Sequence, residues 1–135
     1  MIFYKKRRHY KYTLFADYQH QTELRPAKLI VMTPPIISLG TDGLLIIKKG
    51  YAWDGPSGPT IDTPNFMRGS LVHDALYQLM REKLIPQDHR EYADKLLREI
   101  CIEDGMSRIR AWWVYHSVRL GGASSAAPDL LQVPK

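Results

Sequence analysis

His73-Asp74-Ala75-Leu76-Tyr77 sets a histidine, a carboxylate and a phenol close together in the chain. On a helix, residues at i and i+4 stack on one face, so Tyr77 lies beside the His73 imidazole. Asp74 is about 100° further round and points elsewhere. A further carboxylate, Asp94, follows in a second apolar-periodic segment, and the loop Ile85-Pro86-Gln87-Asp88 turns the chain back so that the two segments can face each other. The set supplies a base near neutral pH in His73, two groups to orient it in Asp94 and Tyr77, and a carboxylate, Asp74, available as a metal ligand.

The positions of these groups on their helices say how they must be satisfied. His73 and Tyr77 flank an apolar face made by Val72, Ala75, Leu76 and Leu79, and Asp94 shares the edge of a stripe of Ala93, Leu97, Ile100 and Cys101. A carboxylate there must be paired, or its desolvation costs several kcal/mol. The same residues also admit a non-catalytic reading, a buried His-Asp-Tyr network that locks two helices. Upstream lies Asp54-Gly55-Pro56-Ser57-Gly58-Pro59, a segment whose backbone can turn carbonyl oxygens around a hard cation. With Asp74 it would form an oxygen-only site suited to Ca²⁺.

The positioning elements follow from hydrophobic periodicity. Alternating aromatic and polar residues predict a strand over 10–17. Further strands are expected over 27–33, 36–39 and 44–53, the last two forming a hairpin across Thr41-Asp42-Gly43. Helices are predicted over 67–83, 87–104 and 108–120, the third closed by Gly121-Gly122. The expected fold class is therefore α+β: a small N-terminal antiparallel sheet followed by three helices containing an antiparallel hairpin. Residues 1–122 are expected to form a single domain, with 123–135 an extended tail rich in Ala, Ser and Pro. Trp112, Trp113 and His116 are expected to pack the third helix as core and rim residues.

Composition bounds the function. A chain of 135 residues, 44% hydrophobic and 24% charged, can bury one core. It contains no apolar run of membrane-spanning length, and the basic run Lys5-Lys6-Arg7-Arg8 leads into polar, tyrosine-rich sequence rather than the apolar core of a signal peptide. The single cysteine, Cys101, sits among apolar neighbours and is expected to be a buried structural thiol in a reducing cytoplasm. The net charge of +5 is concentrated at Lys5 to Arg8, at Lys48-Lys49, and at Arg108, Arg110 and Arg119. These clusters could meet phosphate of nucleic acid or anionic lipid, although no specific nucleic-acid motif accompanies them.

Between residues 51 and 100 the order of a glycine/proline loop, His-Asp-x-x-Tyr on a helix and Ala-Asp on an antiparallel helix resembles secreted phospholipase A2. The disulfide-free form carried in parvovirus capsid proteins is the nearer match. The resemblance implies that His73 is the general base, that Asp94 and Tyr77 orient it, and that Asp74 binds Ca²⁺ together with carbonyls of Gly55, Ser57 and Gly58. The paired cysteines of the secreted enzymes are absent, and the loop is less rich in glycine than theirs. A second resemblance spans nearly the whole chain. Gly50-Tyr51-Ala52-Trp53-Asp54 through Pro59, His73 to Tyr77, Arg90 to Asp94, and Arg110 with Arg119-Leu120-Gly121 are similar to a phage and prophage family of unknown function.

Three functions are compatible with these features. The first is a calcium-dependent lipid ester hydrolase acting at a phospholipid membrane surface. The second is a non-enzymatic virion protein of the tail or of assembly, binding other virion proteins and keeping the network for structure. The third, a metal phosphohydrolase of the HD type, wants a further histidine on an upstream helix, whereas His9 and His20 lie in the β part. The phage resemblance implies synthesis in the host cytoplasm, with incorporation into the virion under the second reading.

Overall fold

The computed structural model describes residues 2, 4–6, 12–53 and 63–121. The chain divides into two compact units, Met1–Ser57 and Gly58–Lys135. The first is built from β-strands and the second from α-helices, so the α+β class expected from the sequence is observed.

In the first unit the strands form two antiparallel sheets. β1 (Tyr4–Lys6), β2 (Tyr12–Leu14) and β7 (Ala52–Trp53) make one sheet, ordered β1-β2-β7. β3 (Tyr18–Gln21), β4 (Ile30–Val31), β5 (Ile37–Leu39) and β6 (Leu44–Ile47) make the other, ordered β3-β6-β5-β4. Alternation sets the register, because Ile37 pairs with Ile47 and Leu39 with Leu45, and all four are fully buried. Such directly opposed pairs are what stabilises a sheet. The expected hairpin across residues 41–43 is present, and Gly43, at φ +88°, takes the left-handed conformation its turn requires.

The structure corrects several strand expectations. The strand expected over 44–53 breaks at Gly50, whose φ is +98°, and its two halves belong to different sheets. The strand expected over 27–33 shrinks to β4. Strands β1 and β3 lie where the sequence offered little apolar alternation; their backbones are recruited by partners, Tyr4 opposite Leu14 and Tyr18 opposite Ile47.

The second unit contains α1 (Pro64–Arg81), α2 (Arg90–Glu103) and α3 (Arg108–Gly121), with a short 3₁₀ turn at Gln87–His89. Helix α1 starts three residues before the expected position, because Pro64 occupies its first turn, where the missing N–H is harmless. It ends in a Schellman turn. Leu84 N–H donates to the Leu79 carbonyl at 2.9 Å and Lys83 N–H to Met80 at 3.0 Å, with Lys83 at φ +62°. Helix α2 ends the same way, with Gly105 in the left-handed position and Met106 N–H donating to the Cys101 carbonyl at 2.9 Å. The two helices approach closely at Gly69, where an added Cβ would lie 3.0 Å from both Cys101 Sγ and Leu97 Cδ1. Phe66, Leu97, Cys101, Met106, Ala111 and Val114 form a core shared by all three helices and the turn before α3. Trp112 and Trp113 do not join it. They are 49% and 62% exposed, against the packing role expected for them, because Ala111, Val114 and Tyr115 already occupy the inward side of α3. The expected tail over 123–135 lies outside the described residues.

Candidate active site

Asp94 lies at the centre of the site, on α2 with no exposed surface. From α1, His73 Nε2 approaches its Oδ1 at 2.7 Å, and the Tyr77 hydroxyl donates to the same oxygen at 2.6 Å. The i,i+4 spacing sets the two rings side by side, tilted by 36° with centroids 4.1 Å apart, so both polar tips reach one acceptor. From the last turn of α3, Arg119 Nη1 donates to Oδ2 at 2.9 Å. Arg90, one turn before Asp94 on α2, stands 3.8 Å from Oδ2 and also donates to the Val118 and Arg119 carbonyls at the end of α3. One buried carboxylate thus ties together all three helices.

The electrostatics follow from these contacts. Burial opposes ionisation of Asp94, but hydrogen bonds from His73 and Tyr77, the charge of His73 and the bond from Arg119 together outweigh it, and the carboxyl is held below its ordinary range. Burial first, and then its bond to the Asp94 carboxylate, push the Tyr77 phenol well above its usual range. Tyr77 is therefore a hydrogen-bond donor at neutral pH and neither a base nor a nucleophile. Burial likewise pushes the Cys101 thiol up to about 12, which excludes it as a nucleophile.

Of the three groups His73, Tyr77 and Asp94, His73 has the most solvent access, its side chain 13% exposed. With Nε2–H donated to an ionised carboxylate, Nδ1 is left as the proton-accepting nitrogen. The cluster can thus take a proton at Nδ1 while Asp94 stabilises the resulting imidazolium. Tyr77 acts one step back from the place its spacing suggested, since it fixes Asp94 rather than the imidazole itself.

The structure brings His73, Tyr77 and Asp94 together. Asp74 is partly buried on α1 and engaged by another group. Gly55, Ser57 and Gly58 lie outside the described residues. Among the described residues no three His, Cys, Asp or Glu side chains come together to hold a metal ion. Arg119 appeared in the sequence as one of a basic set and as part of the phage-family motif, but its place beside Asp94 was not assigned. It lies 25 residues from Asp94, and what could have joined the two was the need of a buried carboxylate for a counter-charge. Arg90 was legible as an i−4 partner of Asp94.

The fold and the cluster define an α+β protein whose helical part is organised around a buried carboxylate holding a histidine. The chain belongs to the family described as protein of unknown function (DUF1353), which matches residues 33–118, well over half its length. No curated protein and no solved structure matches it significantly.

Proposed function

We propose that this is a phage-encoded hydrolase of lipid esters in which His73 is the general base. The observation that carries this reading is the 2.7 Å contact between His73 Nε2 and a buried Asp94, which directs the basic nitrogen, Nδ1, away from the carboxylate. His73 Nδ1 takes a proton from water as the water attacks the ester carbonyl. Asp94 keeps the ring oriented and compensates the imidazolium charge, while Tyr77 and Arg119 keep Asp94 ionised and in place. The phospholipase A2-like order of loop, His-Asp-x-x-Tyr and Ala-Asp supports the ester class, and the phage-family motifs support the viral origin.

The test is fatty-acid release from mixed zwitterionic and anionic phospholipid vesicles, with Ca²⁺ and with chelator, because Asp74 adjoins the base. The wild-type protein is expected to release fatty acid in a Ca²⁺-dependent way. His73→Gln should lower the rate by about 10²–10⁴-fold and alter stability much less, since a glutamine amide can still donate to Asp94. Absence of release from well-folded wild-type protein would contradict the proposal. A second reading, a non-enzymatic tail or assembly component of the virion, is favoured by the convergence of three helices on Asp94. It requires that His73→Gln lower thermal stability with no activity to lose.

A further inference from the structure

Helix α3 is apolar on both sides, and one of those sides has no cover among the described residues. At about 100° per residue, Ile109, Trp112, Trp113, His116 and Leu120 fall within an arc of about 100°, opposite the buried Ala111, Val114 and Tyr115. Ile109 is 75% exposed and Leu120 89%. The indoles of Trp112 and Trp113 meet edge to face with centroids 5.0 Å apart, and His116 lies against Trp112 at 4.1 Å. A contiguous exposed apolar patch marks an interaction surface.

The charge pattern selects the occupant. From Gly105 to Gly121 there is no acidic residue, while Arg108 and Arg110 lie at opposite edges of the stripe. Arg108 is exposed, while the partly buried Arg110 donates to Thr63 Oγ1 at 2.9 Å and lies over the Phe66 ring. Two such cationic helices would repel one another, which disfavours a second copy of the chain. Tryptophans beside an exposed arginine on a helix with no acidic residue suit a phospholipid interface, where indoles sit at headgroup depth and a guanidinium group meets phosphate. No helix among the described residues is long and apolar enough to cross a membrane. The geometry of α3 is that of a helix lying in the interface plane.

We propose that the exposed face of α3 docks the protein on anionic phospholipid surfaces. This extends the hydrolase reading by naming where its substrate is met, but it is tested by binding and not by turnover. The probes are sedimentable vesicles of phosphatidylglycerol with phosphatidylcholine, and of phosphatidylcholine alone. Wild-type protein is expected to co-sediment with the anionic vesicles and to show a blue shift of tryptophan emission; Trp53, being buried, contributes a constant background. Ile109→Ser with Trp113→Ser should lower the partition coefficient about tenfold or more, with an unchanged circular dichroism spectrum and melting temperature, because both positions are exposed. Failure of folded wild-type protein to bind anionic vesicles would overturn the proposal, as would binding that the double substitution leaves intact. Concentration-dependent dimerisation abolished by the same substitutions would overturn it too, by giving the face to a second copy. Vesicle binding without fatty-acid release would uphold docking while removing the hydrolase reading, so the two failures are distinguishable.

Discussion

At Asp94 a fully buried carboxylate is acceptable because His73 and Tyr77 engage one of its oxygens and Arg119 the other. Asp94→Ala leaves the Arg119 and Arg90 charges beside an empty space, and such a broken buried pair costs about 3–5 kcal/mol. Urea denaturation should show that loss. Arg119→Met should cost less, about 1–3 kcal/mol, because His73 and Tyr77 still donate to Asp94 and Arg119 is partly exposed. The pH dependence has a defined sign. The folded-state pKa of Asp94 lies below its ordinary value, so its contribution to stability is complete above about pH 4. It is lost as the pH falls through the depressed value. Asp94→Asn, compared with wild type in acid denaturation, should flatten the stability profile below about pH 4. The triad of His73, Tyr77 and Asp94 was legible in the sequence because i,i+4 spacing and one antiparallel turn suffice to assemble it. Arg119 was not, since only the tertiary return of α3 brings it to α2.

The helices hold this geometry through close packing and well-formed ends. Lys83 closes α1 at φ +62°, a conformation that costs a side-chain-bearing residue roughly 1–2 kcal/mol. Lys83→Gly should therefore raise the melting temperature, with a gain of about 1 kcal/mol after the added chain entropy is deducted. Gly69 works in the opposite sense. A leucine there would drive α1 off Leu97 and Cys101, at a cost of about 1–3 kcal/mol. Under the proposed hydrolase function it should also lower the rate beyond what the stability loss explains, because His73 lies one turn further along the same helix. Helix limits were legible to within a few residues from apolar periodicity, although the start of α1 at Pro64 was not. Strands were less so, since β1 and β3 depend on partners for their pairing rather than on their own composition. The tryptophans of α3 misled a reading based on hydrophobicity, because no local pattern says which of two apolar faces a domain will cover.

The whole molecule is basic, with a net charge of +5 and a pI near 9.4, and this bears on any surface it meets. Binding to anionic vesicles should weaken as salt is raised toward about 1 M, where the screening length falls to about 3 Å. The part contributed by Ile109, Trp112 and Trp113 should remain. Equal residual binding of wild type and the Ile109/Trp113 variant at high salt would argue that these apolar residues contribute nothing and that the basic residues bind alone. The central claim is that Asp94 fixes His73 with Nδ1 as its basic nitrogen. It is tested most directly by nitrogen NMR of the histidine rings in the intact protein, with His73 assigned through His73→Gln. The account predicts that neutral His73 carries its proton on Nε2, with Nδ1 unprotonated, and that Asp94→Asn weakens this preference. A His73 resonance showing the proton on Nδ1 in the wild-type protein would contradict it.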